Sequence, residues 1–445
     1  MAKKPLPILD LNAFVFDQNT VSDKALAERI KLRYKTQGPS SMLFYQEPLH
    51  IVRGQGTWLY DSKGTKYLDV YNNVACLGHC HPKVVEAVSQ QLSQLNVHSR
   101  YLHDTVHVYA EKLLTTLPDN IDRLVMTCTG SESNDLALRL ARIHTQKKGI
   151  IVSEVAYHGN TQMVTEVSPA SFKMQMPPEY VLTVSVAEVT YRGDRAADWL
   201  ADQVYSAIQT LDERGFGCAA LLVDPIFSSD GIYSDPPGFL NKAVELVHDH
   251  GGLFIADEVQ SGFARTGDSM WGFQRHNVVP DIITMGKPMG NGYPVAGVAS
   301  RLDLLEALSK EYGYFNTFGG STTAAAAGLA VLNVLEEEGM LENSRQVGAY
   351  LKRGLHELQD QYHCIEEIRG AGLYIGVEFS EDGDINRPDV DMATATINLL
   401  RRDQVLIGVT GKYGNVLKIR PPLCFTQDNA DLFLDKMSKV LKELG

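Results

Sequence analysis

The sequence has few cysteines and no long apolar run, and each lack excludes a class of protein. Its six cysteines are few for 445 residues, which is typical of reduced, intracellular proteins and not of disulfide scaffolds. No stretch reaches the roughly 18 apolar residues that a membrane-spanning helix needs. The first residues also lack the sustained apolar core of a secretory signal. The sequence therefore predicts a cytoplasmic protein.

Positive charge is also in short supply. The chain has 41 lysines and arginines against 54 aspartates and glutamates, which gives a net charge of −13. This balance argues against nucleic acid or an anionic membrane as the main partner. Apolar residues make up 44% and charged residues 21% of the chain, both close to the globular average, so a disordered or fibrous protein is excluded.

Hydrophobic periodicity divides the chain into three predicted parts. Residues 1 to about 45 form a polar arm, and a small antiparallel meander follows up to residue 75. In residues 76–325, apolar strands alternate with amphipathic helices, as in a mostly parallel sheet covered on both faces. Residues 326–445 change to helices, then alternating strands, then a last helix capped by Thr426. We therefore expect an α/β fold with a large domain (76–325) and a small α+β domain (326–445), which also includes the arm and meander.

Residues able to do chemistry stand where the predicted parallel strands end, which is where such sheets bind ligands. Gly130 and Ser131 open a helix and offer N–H groups and a hydroxyl to an anion. Asp257 ends the apolar strand LFIA, and Lys287 follows the strand DIITMG. Each has a plain structural alternative when taken alone: a serine cap, an ion-paired aspartate, or a lysine that reaches solvent.

Taken together, these residues fit one planar, phosphorylated cofactor. A lysine can form a Schiff base, an aspartate can hold a protonated pyridine nitrogen, and a helix start can bind a phosphate. Tyr157 or His158 could supply an aromatic face for the ring. The predicted cofactor is pyridoxal 5′-phosphate.

A metal site is the main rival interpretation. Cys76 and Cys80, with His79 and His81, resemble part of a zinc cluster. No second pair of Cys or His stands at zinc spacing nearby, so we predict no metal and a loop near a pocket instead.

Longer stretches resemble a known family from about residue 45 to the C-terminus. They are GHCHPKVVEAV, TGSESND, AYHG, FIADEVQSGFARTG, PDIITMGKPMGNGYP, FNTFGG and IRGAGLYIGVEF. In these stretches the chain resembles the class III pyridoxal phosphate aminotransferases of fold type I. Within that family it most resembles the alanine–glyoxylate aminotransferase 2 branch, with its ethanolamine-phosphate phospho-lyases, through NNVACLGHCHP, NVHSRYLHD, MGKPMGNG and NVLKIRPPLCFT. The resemblance implies a mostly parallel, seven-stranded sheet in the large domain.

The resemblance also assigns roles to the residues that surround the cofactor ring. It implies that Lys287 forms the Schiff base and shuttles the proton, and that Asp257 pairs with the pyridinium nitrogen. Val259 and Tyr157 would pack on the two ring faces, and Gln260 would approach the phenolic oxygen.

Further implied roles concern the cofactor phosphate and the subunit interface. Gly130 and Ser131 would hold the phosphate, while Thr317 would reach the phosphate of the partner subunit. That role implies a homodimer, or a tetramer of such dimers, with active sites at the interface. The full set predicted to contact the cofactor is Gly130, Ser131, Tyr157, His158, Asp224, Asp257, Val259, Gln260, Lys287 and Thr317.

The chain departs from the family pattern in three places. Asp224 and Phe227 stand where most relatives have Glu and Gln, which predicts a lost or moved hydrogen bond. Lys418 stands roughly where many members have a carboxylate-binding arginine, and lysine cannot supply the bidentate fork of arginine. Ser321 and Thr322 replace the usual Asn-Pro, and we expect both to cap the next helix.

The resemblance implies an aminotransferase that moves an amino group from a primary amine or ω-amino compound to a keto acid such as pyruvate or glyoxylate. The alternative is a phospho-lyase acting on an amino-alcohol phosphate such as phosphoethanolamine, which would need a cationic pocket for the phosphate. A non-catalytic scaffold would be expected to lack the lysine or the aspartate, and both are present. The candidate phosphate-pocket residues are His98, Arg100, Lys412 and Arg420, and the candidate substrate residues are Asn73, Lys412, Lys418 and Arg420.

Overall fold

The computed structural model describes residues 10–16 and 21–445, and this part of the chain contains thirteen α-helices and fifteen β-strands. The first residues, on which the prediction about a secretory signal rests, lie outside the described part. The helices are α1 Lys24–Gln37, α2 Pro82–Gln94, α3 Asp104–Leu114, α4 Gly130–Thr145, α5 Gln162–Glu166, α6 Val189–Arg192, α7 Ala196–Glu213, α8 Asn241–Asp249, α9 Leu302–Glu311, α10 Thr322–Glu337, α11 Met340–Gln359, α12 Val390–Arg402 and α13 Gln427–Leu444. The strands are β1 Ile51–Gln55, β2 Trp58–Asp61, β3 Lys66–Asp69, β4 Arg123–Thr127, β5 Gly149–Ser153, β6 Val181–Val184, β7 Cys218–Val223, β8 Leu253–Asp257, β9 Ile282–Met285, β10 Ala296–Ser300, β11 Ile365–Ala371, β12 Tyr374–Phe379, β13 Val405–Leu406, β14 Gly408–Thr410 and β15 Val416–Ile419.

A seven-stranded sheet lies at the centre of the large domain, in the order β4-β10-β9-β8-β7-β5-β6. Only β10 runs against its neighbours, β4 and β9, while the pairs from β9 to β6 are parallel. Strands β5, β7, β8 and β9 are buried along their whole length. Strands covered on both faces can be apolar throughout, which explains their runs of Ile, Leu, Val and Ala. The predicted mostly parallel, seven-stranded sheet is confirmed.

The carboxyl ends of the central strands meet at one edge of this sheet. Asp257, the last residue of β8, pairs with Thr284 near the end of β9. Val223, the last residue of β7, pairs with Ala256 of β8. The residues that follow these three strands therefore leave the sheet side by side.

Two smaller sheets combine N-terminal and C-terminal segments. The predicted meander is present as β1, β2 and β3, and β13 joins it parallel to β3. The other sheet has the order β11-β12-β15-β14 and is antiparallel. The stretch VLIGV, predicted as one strand, is divided between β13 and β14, which belong to different sheets. The small sheet domain is present, and the domain boundaries at residues 75 and 325 remain predictions.

The predicted arm contains a helix, α1, that hydrophobic periodicity did not indicate. Asp23 caps this helix, and Ile30 is its only buried residue, so the helix has almost no apolar face to detect. Upstream, the N–H of Phe14 donates to the carbonyl of Leu43 at 2.7 Å. The N–H of Tyr45 donates to the carbonyl of Asn12 at 3.0 Å, so residues 10–16 lie back along the body of the protein.

Helix caps agree with the sequence at two of three predicted positions. Thr426 caps α13, and the Ser321 hydroxyl accepts from the N–H of Ala324 at the start of α10. The prediction for Thr322 was wrong: it is the first residue of α10, and its hydroxyl donates to the Leu95 carbonyl at 2.7 Å instead.

Among the helices of residues 10–16 and 21–445, none is both long enough and apolar enough to cross a membrane.

Candidate active site

A cavity of about 320 Å³ lies where the central strands end. Every residue predicted to contact the cofactor lines this cavity, with the exception of Thr317. These residues come from the turns after β4, β5, β7, β8 and β9, which are far apart in the sequence. The sheet therefore gathers them at one place, as expected for an open parallel sheet.

Lys287 lies two residues after the end of β9, and Met289, two residues further along the chain, is fully buried. Burial, followed by the positive charge of Arg420, lowers the pKa of the Lys287 amine to about 8, while the nearby carboxylates of Asp257 and Asp224 act in the opposite direction. An amine with this pKa is neutral in a sizeable fraction of molecules near neutral pH. It can therefore act as a nucleophile and as a proton acceptor.

Asp257 is fixed by three hydrogen bonds. Its Oδ2 accepts from the Asn134 amide at 2.9 Å and from Nδ1 of His158 at 2.6 Å, and its Oδ1 accepts from the N–H of Val259 at 3.1 Å. Thr284 orients Asn134 by donating to its Oδ1 at 2.7 Å. A buried carboxylate held in this way is suited to a cationic partner in the cavity.

The same contacts orient one predicted residue and reveal one that was missed. His158 lines the cavity, and its Nδ1 is bound to the Asp257 carboxylate, so the orientation of its ring is fixed. Tyr157 lines the cavity too, and which of the two rings packs on the cofactor stays a prediction. Asn134 was not predicted, although its place one turn after Gly130 in α4 puts it on the same helix face.

The first turn of α4 forms a cup for an anion. Thr129 caps the helix, and the Ser131 hydroxyl accepts from the N–H of Asn160 at 3.1 Å. Gly159 has a φ of +143°, and a Cβ at this position would lie 2.4 Å from the Ser131 hydroxyl. A Cβ on Gly130 would lie 2.8 Å from the Val259 side chain. Both glycines are therefore required for the close approach that leaves the helix N–H groups open to a phosphate.

Gln260 is oriented by two donors on the same oxygen. Its Oε1 accepts from the Tyr374 hydroxyl at 3.2 Å and from the Arg420 guanidinium. The amide nitrogen is thereby left to face the cavity that Gln260 lines. An N–H donor at this place suits a phenolic oxygen.

Asp224 and Phe227 lie in the turn that follows β7. The Asp224 carboxylate lines the cavity and accepts from two N–H groups of its own turn, those of Ile226 and Ser228, both at 3.1 Å. Burial raises the pKa of this carboxyl group. Phe227 has a φ of +47° and packs on Phe239 in the core, with the ring centroids 5.6 Å apart. A hydrogen bond lost or moved relative to other family members stays a prediction.

A second cavity, of about 200 Å³, shares Tyr157, Gln260 and Lys287 with the first. Lys418 and Arg420 both line it. Lys418 belongs to β15 and Arg420 comes directly after the last residue of that strand, Ile419, which is fully buried in the core. Both cations are buried, with 4% and 8% of their surface exposed.

The two cations differ in their partners. Arg420 donates from Nε to the Tyr71 carbonyl at 2.9 Å, and its guanidinium lies 4.4 Å from the Tyr71 ring centroid. Lys418 has no hydrogen-bond or ion-pair partner within residues 10–16 and 21–445. Burial, followed by the charge of Arg420, lowers the pKa of the Lys418 amine well below its usual value.

Two of the predicted substrate residues lie outside both cavities, and their role stays a prediction. Lys412 lines neither cavity, because its side chain is half-exposed and pairs with Glu154 at 3.1 Å. Asn73 is buried, with an amide nitrogen that lacks a partner among the described residues, and it also lines neither cavity.

His98 and Arg100 line neither cavity of this chain, and their place in a phosphate pocket stays a prediction. The His98 ring stacks on Tyr101 at a centroid distance of 5.1 Å, and the Arg100 guanidinium lies 3.9 Å from the ring centroid of Phe315. Thr317 comes two residues after Phe315, is exposed, and lines neither cavity of its own chain. Its contact with a partner subunit remains a prediction.

Seven further residues line the second cavity and were not predicted. They come from the arm, from the segment after the meander, from a loop after β7 and from the start of β14. They are Leu11, Asn12, Phe44, Tyr71, Ser229, Gly408 and Val409.

The cysteine–histidine group does not form a metal site in the described residues. The Cys76 thiol lies 3.2 Å from the Pro288 carbonyl, and His79 is paired with Asp69 at 2.6 Å. No cluster of three or more His, Cys, Asp or Glu side chains with metal-binding geometry occurs in residues 10–16 and 21–445.

Three groups meet around one cavity: a lysine of lowered pKa, a carboxylate fixed by hydrogen bonds, and a helix N-terminus whose N–H groups are open to an anion. These groups fit pyridoxal phosphate, so the fold and the site define a pyridoxal phosphate enzyme. The sequence model of the class III aminotransferases matches residues 44–441, and the chain belongs to this family, which uses that cofactor.

Two curated relatives and one solved structure are similar over nearly the whole chain. An alanine–glyoxylate aminotransferase 2-like protein of Drosophila melanogaster is 38% identical over 94% of this chain and 87% of its own length. An ethanolamine-phosphate phospho-lyase homologue of Caenorhabditis elegans is 40% identical over 90% of both chains. A phospholyase from Arthrobacter, solved in complex with phosphoethanolamine, is 39% identical with a TM-score of 0.91, over 94% of this chain and 100% of its own.

Proposed function

We propose that this protein is a phospho-lyase that eliminates phosphate from an amino-alcohol phosphate such as phosphoethanolamine. The observation that carries the proposal is the second cavity, where Lys418 and Arg420 are buried next to Lys287. Two cationic side chains match the charge of a phosphate monoester better than that of a carboxylate. The similarity to the ethanolamine-phosphate phospho-lyase homologue of Caenorhabditis elegans and to the Arthrobacter phospholyase supports the same reaction.

The residues of the first cavity would bind and orient the cofactor. The start of α4 and Ser131 would hold its phosphate, and Asp257 would keep a proton on its ring nitrogen. Val259 and Tyr157 would pack on its two faces. When bound, pyridoxal phosphate supplies an electron sink for the carbon that carries the substrate amine.

Lys287 would then move protons between the reacting carbons. Its Nζ takes the proton from the carbon next to the amine, and the C–O bond of the neighbouring carbon breaks with its electron pair going to phosphate. Arg420 and Lys418 would stabilise the negative charge of the departing phosphate. With phosphoethanolamine and one water, the products are acetaldehyde, ammonia and phosphate.

An aminotransferase is the second candidate, because the same Lys287 and Asp257 would serve both reactions. The observation in its favour is that Arg420 presents a fixed guanidinium, which suits the carboxylate of a keto acid such as pyruvate or glyoxylate. The name of the Drosophila relative supports this reading. For either reaction we infer a homodimer, in which Thr317 reaches the cofactor of the partner. The cytoplasmic location stays a prediction.

The test measures two products from purified protein loaded with pyridoxal phosphate. One sample receives phosphoethanolamine and is assayed for phosphate and acetaldehyde, and the other receives a simple amine with pyruvate and is assayed for alanine. Phosphate without alanine supports the lyase, while alanine without phosphate replaces it with the aminotransferase. The Lys287→Ala variant is the control and should form neither product.

A further inference from the structure

Lys418 is a buried amine without a partner. Only 4% of its surface is exposed, and its side chain lines the second cavity. No residue of the described chain accepts a hydrogen bond from its amine or pairs with it as an ion. A charged ammonium in such a place is costly unless an anion accompanies it.

The groups that surround Lys418 leave its amine without a paired counter-ion. Arg420 stands directly after its strand and Lys287 stands after β9, and both positive charges act on the amine. The ring centroid of Tyr374, on β12, lies 5.8 Å from the Lys418 amine. After β7 come the carboxyl groups of Asp224 and Asp230, which also act on it electrostatically.

Both of these carboxyl groups are engaged elsewhere. Asp224 accepts from N–H groups of its own turn. Asp230 accepts from the Ser153 hydroxyl at 2.7 Å and from the N–H of Val155 at 3.0 Å. The position is therefore set for an anion that comes from outside the chain.

We propose that Lys418 takes up a proton when the anionic group of the substrate enters the second cavity, so that the enzyme binds its substrate together with one H⁺. This rests on the proposed function only in assuming a substrate that carries an anion, whether phosphate or carboxylate. Without the anion, burial and the positive charge of Arg420 disfavour the charged form of the amine. With the anion bound, the Lys418 amine becomes an ammonium. The ligand then has two positive charges beside it, those of Arg420 and Lys418.

This behaviour needs lysine and is closed to arginine. A guanidinium stays protonated in proteins, whereas a buried amine changes its charge readily. Protonation favours binding, so affinity for the anion is highest on the acidic side. It decreases as the pH rises above the pKa that Lys418 has in the empty cavity.

The experiment uses the holoenzyme and sodium sulfate, an anion that keeps two charges between about pH 6 and pH 9. Calorimetry in two buffers of different ionisation enthalpy counts the protons taken up per sulfate bound. We expect uptake to approach one proton in the wild type, and Kd to rise by about tenfold per pH unit towards alkaline pH. Lys418→Arg should bind sulfate with no such uptake and a flatter profile.

A second variant guards against a folding defect. Lys418→Met should retain the cofactor absorption of the folded holoenzyme and lose sulfate affinity by about tenfold or more. Absence of proton uptake in the wild type would overturn the proposal, and so would equal uptake in wild type and Lys418→Arg. No sulfate binding to either protein would overturn the anion site itself. These readings need no turnover, so a failure to release phosphate from phosphoethanolamine would refute the lyase and leave this inference standing.

Discussion

At the scale of single residues, the reactivity of Lys287 is controlled by its burial and by the charge of Arg420. Since these two lower the pKa of the amine to about 8, and only a neutral amine attacks an aldehyde, capture of pyridoxal phosphate by the apoenzyme should quicken with pH and level off above about 8. Arg420→Gln removes a positive neighbour, raises this pKa and should shift the inflection to higher pH. Stopped-flow absorbance measures the rate, and Arg402→Gln, which removes the charge of an arginine paired with Glu443 away from both cavities, is the matched control. An unshifted inflection in Arg420→Gln would contradict the electrostatic explanation.

A second residue-scale prediction concerns Asp257 and the two groups that fix it. Asp257→Asn keeps the shape but removes the charge that would hold a proton on the cofactor ring, so kcat should fall by about 10²-fold or more. His158→Phe removes one hydrogen bond at the Asp257 carboxylate and should lower kcat less, with little loss of bound cofactor. Steady-state assays and cofactor content measure both effects. Equal kcat in Asp257→Asn and wild type would exclude the role of this carboxylate.

The sequence was most informative where a reactive residue ends an apolar strand. Asp257 and Lys287 could be predicted because the sheet architecture fixes where strand ends lie. The side chain of Lys412 pairs with Glu154 and lines neither cavity, which a loop sequence gives no means to foresee. Asn12 was missed because the chain reaches the second cavity only through contacts between the arm and the residues near 43–45.

At the scale of elements, the anion cup depends on how closely the 157–160 turn approaches the start of α4. Gly159→Ala would place a Cβ 2.4 Å from the Ser131 hydroxyl in a backbone region that favours glycine. The cup must widen or rotate, so the Kd for pyridoxal phosphate should rise by about tenfold or more. Fluorescence titration of the apoenzyme measures it. Gly313→Ala, at an open position, should leave Kd unchanged, and similar values for both variants would count against the cup.

Element prediction succeeded where one face of a helix or strand is apolar. Helices α2, α8 and α13 each have one apolar face, and each lies where the apolar residues of the sequence recur with helical spacing. Helix α1 escaped it because almost none of its surface is buried. The stretch VLIGV is uniformly apolar, so the sequence does not indicate that its residues are divided between two sheets.

At the scale of the whole molecule, large apolar side chains are exposed in the two segments near Thr317. Leu102 is 89% exposed and Phe318 is 72% exposed. We predict that a second copy covers them, so the protein should sediment as a dimer. Phe318→Glu should dissociate the dimer and weaken cofactor binding, whereas Met174→Glu, at a residue exposed in a different loop, should not. A wild-type protein that sediments as a monomer with full cofactor content would contradict the shared site.

The central claim is that Lys287, and no other amine, carries the cofactor. Lys418 gives this claim a demanding competitor, because it is a second buried lysine of lowered pKa that lines an adjoining cavity. The direct measurement is borohydride reduction of the holoenzyme, which makes the link to the cofactor permanent, followed by peptide mass spectrometry. We expect the added mass on Lys287 alone. Added mass on Lys418, or on any other lysine in place of Lys287, would contradict it.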